Sequence, residues 1–368
     1  MAATMPDDGP GAPAAQLPDE FNARHLVGRL LALAVVIAVV AAAVSSLPGL
    51  GTLRSRFAQA DVLFLGLICV LKLGSCVSNV VAFRDVFCPR MSWRFSYQLG
   101  MAEQATNVLL PTGGAGGLAL GAWALRQGGM STEHIGRRSV AFFVLTSIPN
   151  FACAAVLGPL LLTGIFSGRV PVVPTVILSA LAWATAAVTA ALPLLLGRIN
   201  PDKSGGAVTG RLRSGAVLLG NGIRDTGRLL RSGQWQAIAG AIGYLGFDIA
   251  ALIAGFAAFG GGLPLAPLVF GYVIGQLGGL IPLPAGIGGT DGGLIGAMLL
   301  YGSSLSQAAA AVLAYRAFQL AVPAILGAIA FVQLRRTLSR SGAPAAECVP
   351  LAESLPVAAV SGRAARSA

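Results

Sequence analysis

The chain has 368 residues, 55% of them apolar and only 11% charged, with a mean hydropathy of +0.77. This excludes a soluble enzyme: a water-soluble surface of this size needs far more charge, and several apolar runs exceed the length that crosses a ~30 Å hydrocarbon core. The net charge of +11 does not point to nucleic acid, because the basic residues fall between apolar segments and are not interleaved with aromatics along one stripe.

In chain order, residues 1–22 are rich in Pro, Ala, Gly and Asp and lack both an apolar period and a basic n-region, which predicts a disordered cytoplasmic tail. An integral membrane domain is expected over residues 23–336. Its first apolar run, Leu30 to Leu47, follows Arg24 and Arg29, is about 27 Å long as a helix and lacks an A-x-A cleavage site, so it reads as an uncleaved span. Five further spans follow, each long enough to cross: Val62 to Phe83, Val140 to Ile165, Val170 to Leu196, Ala237 to Phe259 and Ala308 to Leu334. Residues 337–368 read as a second disordered cytoplasmic tail.

Two more apolar segments are broken in the middle. Phe95 to Leu125 is interrupted by Pro111-Thr-Gly-Gly-Ala-Gly-Gly117, and Leu265 to Tyr301 by Pro282-Leu-Pro-Ala-Gly-Ile-Gly-Gly289. No helix runs through such stretches, and bare backbone at membrane depth must be buried in protein or face a watery cavity. The second arms, about 15 Å long, are too short to cross. The fold class is therefore an all-α polytopic membrane protein with about six full transmembrane helices and two re-entrant hairpins.

The hairpins resemble one another. Pro111 precedes Gly129 by the same interval as Pro284 precedes Gly302; Pro149 and Pro323 follow those turn prolines at nearly equal spacings; Glu103 and Gln276 lie equally far before them. With three full spans between them, the copies enter from opposite faces, which makes an inverted repeat with a midplane site between the copies. The short second arms point helix N-termini at the midplane, a favourable place for an anionic head group. Orientation follows from the basic residues: with cytoplasmic termini, 20 of the 25 lie inside, three outside, and Lys72 and Arg316 within spans. Seven of the 20 lie in the 197–236 segment, read as a solvated cytoplasmic loop with a secondary capacity to adhere to anionic lipid.

Charges within spans are costly, ~2.5 to 3.5 kcal/mol at a helix centre on insertion scales, and are functional candidates by default. Lys72 and Asp248 sit mid-span as a structural pair or a coupling pair. Arg316 keeps its proton and has the fork geometry for a phosphate, with Asp291 as its alternative, fixed partner. Glu103, Asn107 and the turn glycines Gly113, Gly116, Gly286 and Gly288 complete the candidate substrate site, the glycines being expected in left-handed turn conformations. Five cysteines, Cys69, Cys76, Cys88, Cys153 and Cys348, make an odd count with no C-x-x-C and no histidine at ligand spacing. Most read as small buried apolar residues, and no disulfide, zinc or haem site is expected. No cofactor is expected.

The stretch Leu280-Ile-Pro-Leu-Pro-Ala-Gly-Ile-Gly-Gly-Thr-Asp291, followed by Tyr315-Arg316 and Pro323-Ala-Ile-Leu-Gly327, resembles the closing signature of the lysylphosphatidylglycerol synthase transmembrane-region family, which includes the flippase-like half of the multiple peptide resistance factors. The earlier Asn107-Val-Leu-Leu-Pro-Thr-Gly-Gly-Ala-Gly-Gly117 with Leu125 to Ser131 is similar to its first signature. The resemblance covers roughly Ala23 to Arg336. Two departures are visible: many members carry glutamate where this chain has Asp291, and some carry Arg and Glu in the first turn, which here holds only Thr, Ala and Gly. The stretch after Arg336 is too short for an aminoacyl transferase domain, so the expectation is a non-enzymatic flippase or lipid-linked carrier in the cytoplasmic membrane. Its partners would be a phospholipid or polyprenyl-linked lipid and a separate lipid-modifying enzyme. An ion-coupled transporter of a small anion and a non-transporting scaffold for such an enzyme remain the alternatives.

Overall fold

A computed structural model describes residues 51–110, 115–165, 170–196, 207–261, 264–277, 286 and 288–340, together with Gly28, Leu31, Val35 and Cys348. The described residues form eleven helices and no strand: α1 (Gly51–Ala58), α2 (Val62–Phe87), α3 (Trp93–Leu109), α4 (Ala115–Gln127), α5 (Thr132–Leu162), α6 (Val172–Leu196), α7 (Ala207–Arg231), α8 (Trp235–Ala258), α9 (Leu265–Leu277), α10 (Gly289–Leu300) and α11 (Leu305–Arg340). Five of them, α2, α5, α6, α8 and α11, are long and apolar enough to cross a membrane. Phe143 and Leu194, 72% and 73% exposed, put large apolar side chains on the outside of these helices, as a lipid environment requires. This is a multi-pass membrane protein. The five match the second to sixth spans read from the sequence, and the first, Leu30 to Leu47, lies almost wholly outside the described residues.

Local chemistry sets the helix ends. Asp61 caps α2 by accepting from the Leu63 amide at 2.8 Å, and Ser92 caps α3 through the Phe95 amide at 3.3 Å. Helix α3 stops at Leu109 and α9 at Leu277, in front of the Pro/Gly-rich stretches, and the second arms α4 and α10 have only 13 and 12 residues, about 20 and 18 Å. Each arm ends on a left-handed glycine: Gly129 has φ 95° and Gly302 φ 99°. The Met130 amide reaches back to Leu125 and the Ser303 amide to Met298, both at 3.0 Å, so both arms close with the same Schellman motif.

The correspondence extends beyond the caps. Helices α2 and α8 begin at Val62 and Trp235, α5 and α11 begin at Thr132 and Leu305, and α4 and α10 end at Gln127 and Leu300. The offset along the chain is identical in all three pairs. The corresponding helices α2 and α8 also form the most extensive helix–helix interface among the described residues and run antiparallel. The Asp61 amide donates to Ala258 O at one end, Lys72 meets Asp248 in the middle, and the Ala237 amide donates to Asp85 at the other end. Small residues permit this approach: a Cβ on Gly240 would lie 2.6 Å from the Ala82 nitrogen and 2.7 Å from the Ser78 oxygen. Helix α11 packs along α3 in the same way, with Gly327 against the Met101 carbonyl and Ala105.

The buried side chains form two main cores, one around each broken segment. One gathers Phe83, Phe95, Leu99, Leu120 and Leu125 about α3 and α4; the other gathers Phe256, Phe270, Leu294, Met298 and Tyr315 about α9 and α10. Between them lies a small cluster of Cys76, Val80, Met101, Val322 and Ala330.

Two expectations need correction. The 197–236 segment is not simply a loop, because residues 207–231 form a helix. One face of α7 packs on α5 through Gly222 against Val140, and Asp225 bridges Arg137 at 2.9 Å and Arg228 at 2.8 Å. Its apolar residues recur at helical spacing, but its arginines lower the mean hydropathy of the window. Helix α11 itself continues to Arg340, one turn beyond Arg336. The expectation of no disulfide fails: Cys88 and Cys348 form one with Cα atoms 5.8 Å apart, leaving Cys69, Cys76 and Cys153 free. The two partners are 260 positions apart, a proximity that spacing along the chain does not reveal.

Candidate functional site

The structure sorts the candidate residues into three clusters. The first lies where α10 begins. Gly286 and Gly288 have φ 66° and 87°, the left-handed conformations that the turn requires. Asp291, in the first turn of α10, accepts from the Gly288 amide at 2.9 Å with one carboxylate oxygen and from Arg316 Nε at 2.6 Å with the other. Arg316 Nη1 donates to Gln319 at 2.8 Å, and a Cβ on Gly286 would lie 3.6 Å from Nη2. The guanidinium is therefore held against a helix N-terminus and a glycine turn, and Arg316 is only 6% exposed. Gln319, one turn beyond Arg316, and Thr290, which packs on Gly286, were not singled out from the sequence; the i, i+3 spacing was the available signal for Gln319.

The second cluster belongs to the other broken segment. Asn107 is exposed near the end of α3 and accepts from the Gly117 amide at 2.9 Å, tying the two arms together across the break. Glu103, one turn earlier, rests its carboxyl against Gly121 of α4, where a Cβ would collide with it, and it has no hydrogen-bond partner among the described residues. Gly113 lies outside the described residues. Gly116 differs from expectation: it sits within the first turn of α4 and is helical, because that helix starts at Ala115, before the turn sequence is finished. Arg316 hydrogen-bonds to Asp291 and Gln319, whereas Asn107 bonds within the first broken segment. The long helix α11 is what touches both broken segments, through Gly327 on α3 and Arg316 on α10.

The third cluster lies near mid-length of α2 and α8. Lys72 of α2 forms an ion pair with Asp248 of α8, both almost completely buried. The second oxygen of Asp248 accepts from the Tyr272 hydroxyl of α9 at 3.2 Å and the Tyr315 hydroxyl of α11 at 3.5 Å. The Lys72 ammonium lies 5.8 Å from the centre of the Tyr315 ring, and the two tyrosine rings meet edge to face at 6.4 Å. Tyr272 was missed from the sequence because a tyrosine in an apolar helix looks like core. Its signal was Gln276 one turn later on the same face, within reach of the Tyr272 hydroxyl. Tyr315 and Arg316 are neighbours in sequence, so consecutive positions of α11 serve the third cluster and the first.

The family described as the lysylphosphatidylglycerol synthase TM region matches this chain over residues 29–327. The chain belongs to this family of membrane proteins with a lipid-related function. Neither curated proteins nor solved structures give a match.

Proposed function

We propose that this member of the lysylphosphatidylglycerol synthase transmembrane-region family is a flippase or lipid-linked carrier that moves a phosphate-containing head group across the cytoplasmic membrane while the acyl or prenyl tails remain in the bilayer. One observation carries the reading: Arg316, permanently charged and buried, has its carboxylate partner at the mouth of a short helix beside left-handed glycines. Its partner is exchangeable. A phosphate presented at the N-terminus of α10 meets the helix amides and the guanidinium fork together, so Arg316 passes from Asp291 to substrate without ever being unpaired. Glu103, lacking a described partner, takes the cationic part of a head group or a proton.

The architecture proposed for this movement is an inverted repeat of α2 to α5 and α8 to α11, with α3/α4 and α9/α10 as re-entrant hairpins entering from opposite faces. The constant offset between corresponding helix ends, the matched Schellman caps and the antiparallel course of α2 and α8 support it. The positive-inside bias supports cytoplasmic termini. The proposed activity is transport rather than catalysis, with a separate lipid-modifying enzyme supplying or consuming the head group.

The test is head-group translocation in proteoliposomes doped with labelled phospholipids. Chemical quenching of the outer leaflet should reach well beyond the half accessible in protein-free vesicles. If Arg316→Lys, normally inserted, moves head groups as fast as the wild type, the arginine is a structural ion pair and the reading fails.

A further inference from the structure

We propose that the Lys72–Asp248 pair, with the hydroxyls of Tyr272 and Tyr315, is a proton-exchange site coupled to the Arg316 clamp, so that a singly anionic head group moves together with one proton. The proposal rests on head-group carriage by Arg316 and adds to it the coupling ion and the stoichiometry.

The pair is not needed to fasten α2 to α8. Those helices already meet backbone to backbone at Gly240, Ala82 and Ser78, and a buried ion pair is weak evidence for stability because desolvation offsets the attraction. What distinguishes this one is its further bonding. Asp248 Oδ2 receives hydroxyls from α9, the first arm of the second broken segment, and from α11, the helix that carries the clamp. The titratable and charged groups around the carboxylate are Lys72 and Cys76 from α2, Tyr244 from its own helix, Tyr272 from α9, and Tyr315 with the neighbouring Arg316 from α11. Among the described residues, only Asp248 combines an acidic side chain with a place at the meeting point of all four helices.

Charge balance then fixes the coupling. In the observed state Lys72 and Arg316 are matched by Asp248 and Asp291, so the buried pair and the partly buried one are neutral together. A phosphodiester arriving at Arg316 adds one negative charge at a depth where an unmatched charge is costly. One proton from the aqueous phase, bound by a lone pair of Asp248 as an O–H group, restores neutrality. No covalent bond breaks, and the proton leaves to water on the far side when the head group does. Because Tyr315 immediately precedes Arg316, any rotation of α11 that carries the guanidinium from Asp291 toward substrate also draws the Tyr315 hydroxyl off Asp248 and opens the carboxylate to a proton. A zwitterionic head group, carrying its own ammonium, requires no proton.

The experiment uses the full chain in phosphatidylcholine vesicles doped with NBD-labelled phosphatidylglycerol or NBD-labelled phosphatidylcholine, with a luminal pH dye. A gradient of one pH unit should shift the steady-state leaflet ratio of the anionic probe by about tenfold, the equilibrium value for one proton per lipid, and leave the zwitterionic probe unmoved. Asp248→Asn should carry the anionic probe without regard to the gradient; if that variant inserts poorly, the Lys72→Met/Asp248→Asn double variant, which leaves the loaded state one negative charge in excess, should move the zwitterionic probe but not the anionic one. Independently of transport, infrared difference spectra of the protein in vesicles without probe lipid, taken between acidic and neutral buffer, should show a protonated-carboxyl band that is lost in Asp248→Asn and kept in Asp291→Asn. Anionic-probe movement indifferent to the gradient, or a pH response that survives in Asp248→Asn, overturns the proton site while leaving head-group carriage standing. A wild-type protein that moves neither probe overturns carriage and the coupled step with it.

Discussion

Gly129 and Gly302 hold the same left-handed conformation, φ 95° and 99°, at the ends of two short helices, and each is followed by an amide that closes on a carbonyl one turn further back. A glycine is required there because a Cβ at positive φ clashes with the backbone, and the same solution occurs at corresponding positions of the two halves of the chain. Two broken segments with the same terminator, each followed by a helix that begins at the same relative position, are what a duplicated unit would leave behind.

If the units are inverted, their ends face opposite sides of the membrane. In a background without native cysteines, a cysteine placed in the 197–236 segment should be labelled only from the cytoplasm, and one at Ser303 only from outside. Labelling of both from one side would remove the inverted repeat.

Gly286 and Gly288 shape the turn on which the Arg316 clamp rests. Valine at either position forces a β-branched residue into a left-handed conformation, a strain of roughly 1–3 kcal/mol, and at Gly286 the new Cβ would also press on Thr290 Oγ1 at 2.6 Å. Gly286→Val and Gly288→Val should each abolish head-group translocation while membrane insertion, checked by fractionation and size-exclusion profile, stays normal. Gly116→Val is outside this expectation, since Gly116 is helical.

Arg316 uses Nε for Asp291 and Nη1 for Gln319, two directions that one ammonium on a flexible stem does not reproduce. Arg316→Lys should reduce translocation at least about tenfold, equivalent to ~1.4 kcal/mol, with normal expression. Asp291→Glu keeps the charge at the start of α10 and should be tolerated. Comparable losses of folded protein in both variants would instead assign the pair to folding.

Cys88 and Cys348 offer an independent check on orientation. The proposed topology puts both on the cytoplasmic side, where the thiol pool keeps most cysteine pairs reduced. Acid-trapped cells should therefore contain a mixed or largely reduced pair, revealed by differential alkylation, and the bond should form quantitatively after purification in air. A fully oxidised pair in freshly trapped cells would place this end of the molecule on the oxidising side and reverse the orientation.

The α2–α8 interface makes a stability prediction that does not depend on function. Gly240→Val places side-chain atoms against the Ala82 nitrogen and Ser78 oxygen, which are backbone and unable to swing away. Overpacking of this kind costs roughly 1–3 kcal/mol and should lower the thermal midpoint in detergent, whereas Gly246→Ala, where nothing lies within 4 Å, should leave it nearly unchanged.

The sequence by itself determined the membrane class, five of the spans, the two breaks and the repeat spacing. Each depends on a contiguous stretch: hydropathy is summed along one helix, and Pro and Gly break the helix in which they stand. It also named Lys72, Asp248, Asp291 and Arg316, because an ionisable residue inside an apolar run is conspicuous without a partner. Tertiary structure decided who meets whom. The antiparallel crossing of α2 and α8 brings Lys72 to Asp248 across 176 positions, and only the approach of α9 and α11 turns Tyr272 and Tyr315 from apparent core residues into ligands of that carboxylate. Residues 207–231 were read as loop because their arginines lower the local hydropathy, yet they fold as a helix once α5 and α6 supply a surface for the apolar face. The Cys88–Cys348 bond belongs to the same class: reach in space is fixed by how helices pack, and no count or spacing along the chain encodes it.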